Sequence, residues 1–140
     1  MRRGLDLGAV GRGAAAGLVV IVPVSVLVEL VDRVLDGDDS PWLLVPFVAV
    51  LFAYFLAGRT AAARSPYAPV VHGIVAGLTA FAGWLGVRAA VPAVQGDGIG
   101  FGPRAVLTNA LLAGAFAAFG STAPGGDRHL EPGRGGPDRK

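Results

Sequence analysis

The sequence predicts an all-α membrane protein with four transmembrane helices in a bundle, and three observations carry that prediction. Hydrophobic residues make up 53% of the 140 and charged residues 16%, with a mean hydropathy of +0.58, more apolar than a soluble domain of this size sustains. Four apolar runs approach the roughly 20 helical residues that cross a hydrocarbon core about 30 Å thick. The Lys and Arg residues, finally, crowd into alternate connecting segments, as they do when loops lie on two sides of a bilayer.

The first span, 13–34, lies between Arg12 and Arg33 and is interrupted only by Glu29 and Asp32. Pro23, inside it, frees the carbonyl of Val19. The second, 41–58, carries no charge, and Ser40-Pro41 reads as an N-cap followed by a first-turn proline. The third, 69–90, starts at Pro69 within an uncharged stretch, and the fourth covers 104–123. Residues 1–123 thus form one membrane domain. Beyond it, 124–140 is dominated by Gly, Pro and charge, which predicts a disordered cytoplasmic tail.

Orientation follows from the basic residues. Arg2, Arg3, Arg12, Arg59, Arg64, Arg128, Arg134, Arg139 and Lys140 fall on one side, and only Arg33, Arg88 and Arg104 on the other, which predicts both termini in the cytoplasm. Trp42 and Trp84 then sit at outer interfaces and Tyr67 at an inner one. The apolar run after Arg2-Arg3 is too long for a cleaved signal and lacks its cleavage pattern, so the first span reads as a signal anchor. Eleven of the twelve basic residues are Arg, which together with abundant Gly, Ala and Val suggests a GC-rich bacterial genome and hence a bacterial plasma membrane.

Composition also excludes whole classes of chemistry. With no Cys, one Met and two His there is no disulfide, thiol nucleophile or cysteine-built metal centre, and no cofactor is expected. Basic residues are scattered rather than clustered, so nucleic acid is not an expected partner. No Ser or Thr has a His and an acid near it in sequence, which argues against an enzyme. Asp36-Gly37-Asp38-Asp39 lacks the spacing of a calcium loop and reads as a solvated turn, and the glycines from Gly96 to Gly102 read as a flexible outer loop rather than a dinucleotide motif.

Helices in lipid associate through small residues that let backbones approach. On the fourth span Ala110, Ala113, Gly114, Ala117, Ala118 and Ser121 share one side, opposite Leu111, Leu112, Phe116 and Phe119. On the third, Gly73 and Gly77 form a G-x-x-x-G pair, and Gly13 and Gly17 form another on the first. The expected packing or interaction residues are therefore Gly13, Gly17, Gly73, Gly77, Ala110, Gly114 and Ala117. Gly13 to Leu18 and Gly73 to Leu78 both read G-x-x-A-G-L, sixty positions apart, and Leu51, Ala53 and Ala57 match Leu111, Ala113 and Ala117 at the same offset. Two duplicated helical hairpins, related by a twofold axis along the membrane normal, would explain the match; convergent use of small residues explains it equally well.

Glu29 lies inside the first span near its outer end, and an ionisable group in a membrane helix is a functional hypothesis by default. With Ser25 one turn deeper and Arg88 at the end of span three, it defines a candidate ion or proton site. The competing reading is a shallow carboxylate that snorkels outward or pairs with Arg33 at i,i+4. His72, Asn109 and Thr79 read as hydrogen-bonding side chains, the last two between helices.

The stretch Ala57-Gly58-Arg59, Ala61 to Ala63, His72-Gly73 and Gly77-Leu78 resembles a signature of small YrzE-like four-helix bacterial membrane proteins, over roughly a fifth of the chain. That resemblance implies a topology and no activity. The function expected is a non-enzymatic integral membrane protein, a homo-oligomer or an accessory subunit of a larger complex, with a small proton-coupled transporter or channel using Glu29 as the alternative.

Overall fold

A computed structural model describes residues 4–35, 44–65, 67–95 and 102–123. They are helical almost throughout: α1 spans Leu7–Leu35, α2 Leu44–Arg64, α3 Pro69–Gln95 and α4 Pro103–Thr122. Each helix contains a stretch long and apolar enough to cross a membrane, namely Leu7–Val28, Leu44–Arg64, Pro69–Ala90 and Pro103–Thr122. The turn at Asp36–Asp39, the Ser40-Pro41 start, Trp42, the glycines from Gly96 to Gly100 and the tail 124–140 lie outside the described residues.

Helix boundaries depart from the expected ones where a charge was read as an end. α1 begins at Leu7 rather than 13, because the Asp6 carboxylate accepts the amide N–H groups of Gly8 at 2.9 Å and Ala9 at 3.1 Å and so caps the first turn. Arg12 lies exposed on the helix surface and interrupts nothing. α2 likewise continues past an exposed Arg59, since the alanines 61–63 that follow are the strongest helix formers. α3 starts at Pro69 as expected and continues beyond 90 to Gln95. α4 is led in by an extended Gly102 with Pro103 in its first turn, and closes with the Ala123 N–H on the Gly120 carbonyl at 3.3 Å.

Around the perimeter the helices follow the order α1, α2, α4, α3, with α2 and α3 also touching across the diagonal. α1 and α4 stand at opposite corners. Gly13 and Gly17 face Ala76 and Ala80 of α3 in ascending order but Ala61 and Ala53 of α2 in descending order, so α1 runs parallel to α3 and antiparallel to α2.

The interior inverts the habit of a soluble domain. Ala53, Ala57, Ala61, Ala76, Ala80, Ala113 and Ala117 are all fully buried, and Ile21 is the largest side chain that is. Outside stand Leu7 at 76% exposure, Val19 at 73%, Phe119 at 68% and Leu111 at 66%. Small residues within and large apolar ones without is the arrangement favoured where the solvent is itself apolar and close backbone approach supplies the attraction.

Candidate functional site

The small residues singled out in the sequence mostly turn toward other helices of the same chain. A methyl group added at Gly13 would stand 2.6 Å from the Ala57 carbonyl oxygen and 2.8 Å from the Ala61 methyl; at Gly17 it would meet the Ala57 methyl at 3.1 Å and the Ala53 carbonyl at 3.3 Å. Gly13 has no room for a side chain, and at Gly17 the neighbours would have to give by a few tenths of an ångström. At Gly73 the same methyl would lie 2.7 Å from Ser121 Cβ and 3.1 Å from the Ala117 carbonyl, and at Gly77 it would overlap the Ala117 methyl and approach the Ala113 carbonyl to 2.9 Å.

These two sets of contacts correspond residue for residue. Adding sixty to Gly13, Gly17, Ala53, Ala57 and Ala61 yields Gly73, Gly77, Ala113, Ala117 and Ser121, and carbonyl meets glycine at the matching places. The pairing of α1 with α2 is thus repeated in the pairing of α3 with α4. The expected twofold axis does not fit, because it would set α1 and α3 at opposite corners, whereas they are neighbours.

Between the two hairpins the closest points are glycines that the small-residue stripes did not reveal. A methyl at Gly58 of α2 would overlap the Ala117 carbonyl, and one at Gly120 of α4 would overlap the Phe55 carbonyl. Gly58 sits beside Arg59 at what read as the end of a span, and Gly120 lies just outside the expected stripe. A signal was present nonetheless: Gly58 lies four residues after the buried Tyr54, and Gly120 three after the buried Ala117.

Gly114 differs from its neighbours. A methyl there would meet only Leu78 Cδ2 at 3.9 Å and Ile74 Cγ2 at 4.0 Å, ordinary contact, so Gly114 flanks the packed stripe rather than forms it, while the half-buried Ala110 packs against the core. On the bulky side Leu111 and Phe119 are exposed, but Phe116 packs against the core. Asn109 and Thr79 do not bridge helices. Their side chains donate to Ala105 O at 2.8 Å and Val75 O at 2.7 Å, each one turn back on its own helix.

At the far end of the helices from Asp6, two of the three residues of the expected ion site are brought together by a third. Trp84 Nε1 donates to Ser25 Oγ at 2.8 Å, and the Arg88 guanidinium lies 5.5 Å from the centre of the same indole ring. Trp84 is half-buried and stacks on Phe81 at 5.9 Å, which in turn meets Tyr54 edge-on at 6.5 Å. The side chains of Glu29 and Arg33 lie outside the described residues. Known proteins add nothing to this geometry. No protein-family model, curated protein or solved structure matches the chain.

His72 occupies a junction that no sequence spacing announced. Its ring is 5% exposed, its Nε2 accepts the Asp6 backbone N–H at 2.9 Å, and its Nδ1 lies 3.0 Å from the Ala68 carbonyl. Ala68 has a left-handed backbone, with φ of 55°, at the start of α3. Asp6 thereby ties α1 to α3 through its amide while capping α1 through its carboxylate. Among the described residues no group of three or more His, Cys, Asp or Glu side chains is placed to hold a metal ion.

Proposed function

We propose that this chain is a non-enzymatic, multi-pass protein of a bacterial plasma membrane, a four-helix transmembrane bundle with both termini cytoplasmic. It acts through its outer surface, as a homo-oligomer or as an accessory subunit beside another membrane protein. The recurrence of contacts at an offset of sixty supports an origin as two copies of one helical hairpin. The resemblance to YrzE-like proteins is in keeping with this topology.

The observation that carries the reading is the closed interior. It is lined by alanine and glycine in close contact with backbone, together with Ile21, Tyr54 and Phe81, and the buried Ser65, His72 and Ser121 lie at one end. A tightly packed centre leaves the outside as the working surface. Because Gly13, Gly17, Gly73, Gly77 and Ala117 are engaged within the chain and Ala110 packs against its core, a partner would meet the flank of α4 around Gly114 and Leu111. A photo-crosslinking residue at Leu111, in cells expressing the chain at native level, is expected to give a discrete protein adduct; labelling of lipid alone would count against the proposal.

The transporter reading draws on the polar cluster of Ser25, Trp84 and Arg88, of which Ser25 precedes Glu29 by one helical turn in α1. Proton-coupled flux in proteoliposomes that is abolished by Glu29→Gln would establish it, and flux absent or indifferent to that change would remove it.

A further inference from the structure

We infer that His72 and Asp6 form a pH-sensitive latch that fastens the start of α1 to α3. The chemistry of the two partners fixes the state of the imidazole. A carbonyl only accepts, so the nitrogen facing Ala68 O at 3.0 Å carries the hydrogen; a backbone amide only donates, so the Nε2 that faces Asp6 N at 2.9 Å is bare. The latch therefore exists only with the neutral ring.

Adding a proton at Nε2 sets N–H against N–H and abolishes the bond in a site where the ring is 5% exposed. The imidazolium then calls for an anionic acceptor. Among the described residues the carboxylate at this end of the helices is that of Asp6 itself, which is holding the amides of Gly8 and Ala9. To reach the ring it must release them, so the first turn of α1 loses its cap as the ring gains its proton. The surrounding charges come from each neighbouring element. Arg12 of α1 and Arg64 of α2 line one cleft with Asp6, and Arg59 of α2 lines another with Pro69 and Ser121, all three opposing a further positive charge, while α4 contributes no titratable side chain at this end among the described residues. Tyr67, in the link before α3, is exposed.

Two geometries of one residue thus alternate with the charge on one ring: amide to His72 with carboxylate to α1, or carboxylate to His72 with α1 uncapped. Acidification selects the second.

Backbone hydrogen–deuterium exchange of the full chain in lipid nanodiscs, at about pH 8 and about pH 5 and corrected for intrinsic rates, reads the latch directly. The amides of residues 6–9 should exchange at least about fivefold faster at the lower pH, the equivalent of one net hydrogen bond, while those of α4 keep their protection. The His72 ¹⁵N signals followed in the same range should show Nε2 bare when the amides are protected and protonated when they are not. His72→Gln, whose amide can accept and donate at once but does not titrate, should remove the pH dependence. Protection that ignores the protonation of Nε2, or a His72→Gln protein with the pH response of the wild type, would overturn the latch.

Discussion

At the residue scale, what distinguishes one glycine from another is the backbone opposite it. Gly58 and Gly120 each press on a carbonyl of the other helix, so Gly58→Ala or Gly120→Ala should separate α2 from α4 at a cost of about 3 kcal/mol or more, the upper range for overpacking. Gly114→Ala, made on the same face of the sequence pattern, should change stability by no more than about 0.5 kcal/mol. Thermal denaturation in mild detergent, comparing the three variants, checks both outcomes. Ala68 offers a change in the other direction. Its φ of 55° is a conformation that a side chain disfavours by about 1–2 kcal/mol, so Ala68→Gly should leave the fold intact and raise the midpoint of unfolding. The spacing of Gly58 and Gly120 from Tyr54 and Ala117 placed them on packed faces, but how closely each is pressed was not legible beforehand. Sequence periodicity assigned Gly114 to the packed face because it is small and adjacent to Ala113, but whether a neighbour approaches to 2.6 Å or 3.9 Å depends on the crossing of two helices, which no single helix encodes.

At the element scale, each helix was visible as an apolar run, and the runs located all four. Their ends were less visible, because a charged residue such as Arg12 or Arg59 can sit on a helix surface as readily as at its terminus. The contact between α1 and α3 is secured near one end by Asp6 with His72 and near the other by Ser25 with Trp84. Both pairs are separated by about sixty residues and carry no local pattern. For the second pair a double-mutant cycle of Ser25→Ala with Trp84→Phe should show a coupling of about 0.6 kcal/mol, typical of a hydrogen bond between membrane helices. Retained ring stacking on Phe81 would keep the Trp84→Phe protein folded, so that the hydrogen bond alone is measured.

At the scale of the whole molecule, the many buried alanines and glycines and the large apolar side chains left exposed predict that the chain will need an amphiphile. Purified without one it should aggregate, which light scattering on removal of detergent would record. Single cysteines introduced at Thr122 and Gly102, both exposed and at opposite ends of α4, should label from opposite sides of the membrane, Thr122 from the cytoplasm. Ser121 is a poorer probe because it is buried against Gly73. The repeat, half legible as G-x-x-A-G-L, gains its physical content from the contacts matched at an offset of sixty. It also predicts that residues 1–65 and 67–140, expressed as separate chains in one cell, reassemble through α2 and α4, and that Gly58→Leu in the first piece prevents their co-purification.

Repetition by side-by-side placement has a hazard that rotational symmetry avoids, since the free flank of the second unit could accept a third and so on into a ribbon. The positions equivalent to Gly58 and Gly120 in the opposite hairpins are Ala118 and Thr60, and each carries the side chain that its counterpart excludes. A newcomer would find both berths occupied by a methyl or a branched hydroxyl where only hydrogen fits. Growth by that contact stops at two units, and the sheet of rods stays finite.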